Sequence, residues 1–188
     1  MTTVLLTGFE PFGTATSNPS GEIVKQISGE NIVKAILPVA YAGSAERLLA
    51  LIAEHNPDVV ICLGQAEGRT QITPEKVAIN LDDARLADNE GVLRNDVKIL
   101  VDGPDAYFTT LPINKMVEAI KAKGVPAAVS LSAGAFLCNH VFYVAQNKFV
   151  GTKVRSGFVH VPLMDSQAPE FPGLPTMPLD QMVTAVRA

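Results

Sequence analysis

Scarcity is the first thing this sequence shows. Two cysteines are too few for a disulfide framework, and they form no Cys-x-x-Cys pair. The three histidines include no pair at helical ligand spacing, so a metal hydrolase is not expected. Lysine and arginine never cluster, and the net charge of −4 argues against a nucleic-acid partner. No apolar run approaches the length of a membrane span, so no membrane partner is expected. The opening "MTTVLLTGFEPFG" has no basic start, and its apolar run is too short for a secretory leader. With so few cysteines, a reducing cytoplasm is the expected location. Tryptophan is also absent, which excludes nothing.

What is present is apolar and ordered. Hydrophobic residues make up 47% of the 188 positions, enough to bury a sizeable core in a single domain spanning residues 1–188. Short apolar runs alternate with amphipathic stretches. "TVLLTGF", "NIVKAILPV", "DVVICLG", "VPAAVSLSAG" and "SGFVHVP" read as strands. "NPSGEIVKQISG", "SAERLLALIAEHN", "INKMVEAIKAKG", "CNHVFYVAQNKF" and "PLDQMVTAVRA" read as helices, the first opened by Asn18 and Pro19 and closed by Gly29. This alternation predicts an α/β fold, a three-layer α/β/α sandwich around a mainly parallel sheet. Functional groups in such sheets gather beyond the carboxyl ends of the strands. Residues 86–110 lack periodicity and read as a long excursion, with room for a small hairpin.

Chemistry concentrates around "SAGAFLCNH". A helix that starts near Cys138 puts its thiol where unpaired N–H groups and the helix dipole favour a thiolate, the form that attacks carbonyls. The competing reading is a small buried hydrophobe, which suits Cys62 in the middle of "VVICLG" better. A nucleophilic thiol needs an imidazole. His55 fits a surface helix end, and His140 lies two helical positions from Cys138 and so points away. His160, near the end of a predicted strand that follows the Cys138 helix, is the better partner. A carboxylate should orient that imidazole. Glu75 is a candidate because, in an extended segment, it shares a face with Val77 and Ile79, a poor place for an acid without a partner. Asp82, Asp83 and Asp88 are rivals. Two glycine-bearing loops, "TGFEPFG" and "GQAEG", match neither a P-loop nor a dinucleotide fingerprint.

Four ordered segments resemble the pyroglutamyl peptidase I (pyrrolidone-carboxylate peptidase) family of cysteine peptidases. "LLTGFEPFG" followed by "SNPS" is similar to its amino-terminal signature. "GQAEGRTQITPEKVAIN" resembles the segment around its glutamate, "SAGAFLCNH" that around its cysteine, and "GFVHVP" that around its histidine. The resemblance implies Cys138 as nucleophile, His160 as general base and acid, and Glu75 as orienting group, with no metal and no other cofactor. It implies peptide substrates bearing an N-terminal pyroglutamate, and a homo-oligomer, tetramer or dimer. Arg85 matches a basic position near the family's site, either assisting the oxyanion or bracing the fold. One departure is visible: after "DNEG" the family commonly has a proline, where this chain has "VLRN".

A pyroglutamyl end is a flat, neutral lactam. It needs apolar walls and a few amide-directed hydrogen bonds. Phe9, Phe12 and Phe136 are candidates for the walls, and Asn18 and Gln71 for the hydrogen bonds, Asn18 having the helix N-cap as its other reading.

Overall fold

The computed structural model describes residues 1–188. The chain begins β1 (Val4–Phe9), α1 (Pro19–Gln26), β2 (Ile32–Leu37), α2 (Tyr41–His55) and β3 (Val59–Gln65). It continues through the short strands β4 (Thr73–Pro74), β5 (Val77–Ile79) and β6 (Ala106–Phe108) to α3 (Ile113–Ala122) and α4 (Leu137–Lys148). It ends with β7 (Arg155–Val161), β8 (Leu163–Met164), β9 (Thr176–Met177) and α5 (Leu179–Arg187).

The central sheet has the order β2-β1-β3-β7-β4, parallel throughout except for β4. Alternation along the strands sorts the side chains between two cores. Leu5, Phe9, Val60, Cys62 and Phe158 face α2 and α4. Leu6, Leu63, Val159 and Val161 face α1, α3 and α5. This is the three-layer sandwich expected from the sequence. Strand order reverses at β1, whose neighbours are β2 and β3, so a crevice opens beyond the carboxyl ends of β1 and β3.

The β1–α1 turn is tight. Asn18 caps the helix, its side chain accepting from the Ser20 N–H at 3.1 Å, and Ser20 Oγ in turn accepts from the Phe9 N–H at 2.9 Å. The helix start is pressed so closely onto β1 that a Cβ at Gly8 would lie 2.4 Å from the Ser20 carbonyl oxygen.

Three elements differ from the sequence reading. The segment 125–134 is not a strand but two isolated parallel bridges, Ile72↔Ala127 and Glu75↔Ser130. The backbone does pair on either side: Ala128 donates to Ile72, Ser130 to Pro74 and Lys76 to Ser130. Pro74 has no N–H to contribute at the midpoint, and the ladder breaks there. Helix α1 stops at Gln26, short of Gly29, because Ile27 turns extended to pack into the core. The excursion is closed at its base by antiparallel pairing of β5 with β6, the second of which lies inside it. Asp88 closes the "DNEG" turn instead of a proline, its Oδ1 accepting from the N–H groups of Glu90 and Val92 at 3.0 and 2.8 Å.

Gly8→Ala should cost about 1–3 kcal/mol, because the obstacle is backbone that cannot rotate away. Urea unfolding followed by circular dichroism measures this, and an unchanged midpoint would contradict the close packing of α1 on β1.

Candidate active site

Three segments distant in sequence converge at one end of the sheet. In β7, His160 lies in register beside Gly64 of β3, so the two residues point to the same face. Gly64 has no side chain to fill its position. Cys138 Sγ fills it, lying 2.7 Å from where a Gly64 Cβ would be. The nucleophile candidate therefore sits over the strand next to His160. Helix α4 starts at Leu137 with Phe136 as N-cap and no side-chain cap, which leaves the first-turn N–H groups, including that of Cys138, open to an incoming oxyanion.

Strand β4 runs antiparallel along the far side of β7, with Thr73 opposite His160. Two residues on, Glu75 is wholly buried, and its Oε1 accepts from His160 Nδ1 at 2.7 Å. That bond places the imidazole proton on Nδ1 and leaves Nε2 as the acceptor. The same Oε1 receives a second donor, Arg69 Nη1, at 2.8 Å. Glu75 Oε2 is buried without a partner. Asp82, Asp83 and Asp88, the rival acids, lie elsewhere. Asp82 binds His140, Asp83 is exposed, and Asp88 caps α2 through the Tyr41 N–H at 2.9 Å.

Burial works against the dipole-stabilised thiolate expected at this helix start. Burial, then the negative charge of Glu75, push the Cys138 thiol up to about 12, against smaller lowering effects from Arg69 and its own backbone N–H. Burial also lowers His160 below its ordinary value of 6.5, outweighing the opposing hydrogen bond and charge of Glu75. Desolvation thus favours the neutral thiol and the neutral imidazole over an ion pair.

Beside Cys138 lies a cavity of about 180 Å³ lined by Phe9, Phe12, Asn18, Phe136 and Leu137, with Val39, Gln65 and Glu67 completing it. The Phe12 and Phe136 rings pack with centroids 5.2 Å apart. Asn18 caps α1, as one of its two readings expected, and also lines the cavity, its Nδ2 donating to the Glu10 carbonyl at 2.9 Å. Gln71 is exposed and does not line this cavity. Arg85 is exposed in an adjoining cleft that shares Phe12 and Phe136.

His140 belongs to a different network. Its Nδ1 lies 2.9 Å from Asp82 Oδ2, which also accepts from Arg94 at 2.7 Å, and its ring meets Tyr41 edge-on. His55 sits at the end of α2 beside Glu54, 3.7 Å away. Cys62 is fully buried in the sheet core, where burial pushes its thiol up to about 12. No group of three or more His, Cys, Asp or Glu side chains is placed to hold a metal ion. No helix is long and apolar enough to cross a membrane.

Two residues that position the triad went unread in the sequence, as did Val39, Gln65, Glu67 and Leu137 of the cavity. Gly64 looked like the end of a buried strand. Arg69 had a signal, because a buried acid at Glu75 demands a cation and Arg69 lies six positions upstream.

Known proteins of one family resemble this chain over nearly its whole length. A family model described as pyroglutamyl peptidase matches residues 2–188. The chain is 47% identical to the pyrrolidone-carboxylate peptidase of Cupriavidus pinatubonensis, covering 100% of this chain and 90% of that protein. It is 49% identical to that of Aliivibrio fischeri, covering 97% and 88%. Among solved structures, pyroglutamyl peptidase I of Bacillus amyloliquefaciens superposes with a TM-score of 0.95 at 44% identity, covering 100% of this chain and 94% of that one. The pyrrolidone carboxyl peptidase of Fervidobacterium islandicum gives 0.92 at 41%, covering 100% and 95%. The matches place the chain in the class of α/β peptidases. Within it, this chain belongs to the pyroglutamyl peptidase family.

Gly64→Ala should keep the fold but displace Cys138 Sγ and the Phe158 ring, whose nearest atom is also 2.7 Å away. Turnover of a pyroglutamyl amide should fall about 100-fold, as a displacement near 1 Å does at a reacting atom. Wild-type turnover in this variant would mean that the thiol does not depend on the gap over Gly64.

Proposed function

We propose that the protein removes N-terminal pyroglutamate from peptides through a thioester formed on Cys138, with His160 and Glu75 completing a triad. The observation that carries this reading is the Glu75–His160 hydrogen bond of 2.7 Å on the strand beside Cys138, at the mouth of an aromatic cavity.

The chemistry follows from the protonation states that burial favours. The Cys138 thiol gives its proton to His160 Nε2 as the sulfur attacks the carbonyl linking the pyroglutamyl ring to the next residue. The proton transfer is coupled to attack, because a preformed ion pair is disfavoured by burial. Open N–H groups at the start of α4, that of Cys138 first, meet the oxyanion. Glu75 stabilises the imidazolium, which then protonates the departing amine. Water, losing a proton to the neutral imidazole, cleaves the thioester, releasing pyroglutamate and restoring the thiol.

Specificity rests on the cavity. Phe9, Phe12 and Phe136 provide apolar walls for a flat lactam, and Asn18 is the expected amide contact, beside a second amide, Gln65. Gln71, exposed outside this cavity, is kept as a substrate contact on its resemblance to the family alone. Arg85 is assigned to the cleft beyond the two phenylalanines, where it braces the wall or approaches the oxyanion on closure. A reduced catalytic thiol suits the cytoplasm. Exposed apolar side chains around the excursion, Leu86, Val101, Phe108 and Leu131 among them, favour a homo-oligomer, dimer or tetramer.

Hydrolysis of a fluorogenic pyroglutamyl amide under reducing conditions tests the reading. Turnover should be absent in Cys138→Ala and absent for the prolyl amide. Equal cleavage of the prolyl amide would remove the lactam-specific assignment of the cavity.

The two histidines should separate in the same assay. His160→Ala should lose activity by about 1,000-fold or more, as loss of a triad base does. His140→Ala should keep most of it. Wild-type kcat/KM should persist below pH 6.5 and decline only as His160 gains a proton, because its depressed value delays that protonation. A decline centred above pH 6.5 would point to another titrating group.

A further inference from the structure

Glu75 is a charge in an expensive place. Its side chain is wholly inaccessible, and one of its two oxygens has no partner. A buried carboxylate persists as an anion only with a cation or donors at hand. Besides His160, which must stay neutral to act as a base, the one cation paired with it is Arg69.

Arg69 lies on the loop between β3 and β4, 26% exposed, and reaches three groups at once. Its Nη1 donates to Thr73 Oγ1 and to Glu75 Oε1, and its Nη2 donates to the Ser132 carbonyl at 3.1 Å. Ser132 lies in the segment that leads into α4 and Cys138. Thr73 is the register partner of His160. One guanidinium therefore ties together the carriers of all three triad members. Lysine, a point charge without the planar fork, cannot reproduce this set of contacts.

We infer that Arg69 is the positioning residue of the triad, holding Glu75 aimed at His160 while fixing the approach to Cys138. The inference rests on the reaction proposed above and deepens it. The charge of Arg69 also opposes that of Glu75 at both reacting groups. It lowers the Cys138 thiol and lowers His160, whereas Glu75 raises each. Glu75 and Arg69 are the charged groups acting on His160, and the Cys62 thiol is the further titratable neighbour of Cys138.

Arg69→Gln and Arg69→Lys test this, read in two ways. The first readout is the acid limb of kcat/KM for a pyroglutamyl amide. The second is the acid limb of iodoacetamide alkylation at Cys138, set by protonation of the His160 base and followed by peptide mapping, which needs no turnover. In Arg69→Gln both midpoints should rise by about one pH unit, because an opposing charge a few ångströms away has been removed. In Arg69→Lys both midpoints should stay near wild type while kcat falls, the charge being kept and the fork lost. A residue with a merely structural role would lower stability or kcat and move neither midpoint. Unshifted midpoints in Arg69→Gln would therefore overturn the inference. Should the Gln variant not fold, wild-type kcat in a folded Arg69→Lys protein would overturn it equally. A wild-type protein without pyroglutamyl turnover would defeat the proposed reaction, while the alkylation midpoints would still decide the role of Arg69.

Discussion

A negative charge with no access to water organises this protein. Glu75 can be buried as an anion only because the fold brings a guanidinium and an imidazole N–H to one of its oxygens, at 2.8 and 2.7 Å. Each of those partners belongs to a different part of the chain. Arg69 fixes the loop after β3, His160 fixes the end of β7, and the Ser132 contact of Arg69 draws in the lead to α4. The position of Cys138 follows from these, once Gly64 has left space for its sulfur.

The same end of the sheet holds a second arrangement of the same kind. Asp82 is buried between His140 and Arg94, and the Arg94 guanidinium lies 4.4 Å over the Tyr41 ring. Its backbone pairs with Val97 in both directions, and the Asp83 N–H donates to Ala135. This network fastens the excursion to α4 and supports Phe136 through the edge-on contact with Tyr41. The two carboxylates thus divide the labour: Glu75 faces the thiol side of α4, and Asp82 supports the wall of the cavity.

Most of the architecture was legible in the sequence. Long periodic elements such as α2 and continuous apolar runs such as β3 declared themselves, as did the alternation that makes the sheet parallel. The choice of His160 over His140 followed from helical geometry, and the two networks keep the histidines apart. What escaped reading depended on partners far along the chain. The segment 125–134 has the composition of a strand, but its ladder is interrupted by a proline some fifty residues away, at position 74. The thiolate expected from the helix dipole is local physics, opposed by desolvation that only the assembled core imposes. Gln71 has fitting chemistry, yet its side chain lies exposed outside the cavity.

The bond between Glu75 and His160 spans 85 residues of chain, and β7, which carries His160, is the last strand of the central sheet in chain order. Before that strand docks, Cys138 is an ordinary thiol with no base beside it. The chain therefore acquires reactivity late, as a property of the finished sheet and not of any fragment. A partly folded molecule carries every atom of the triad without the arrangement that joins thiol, base and acid.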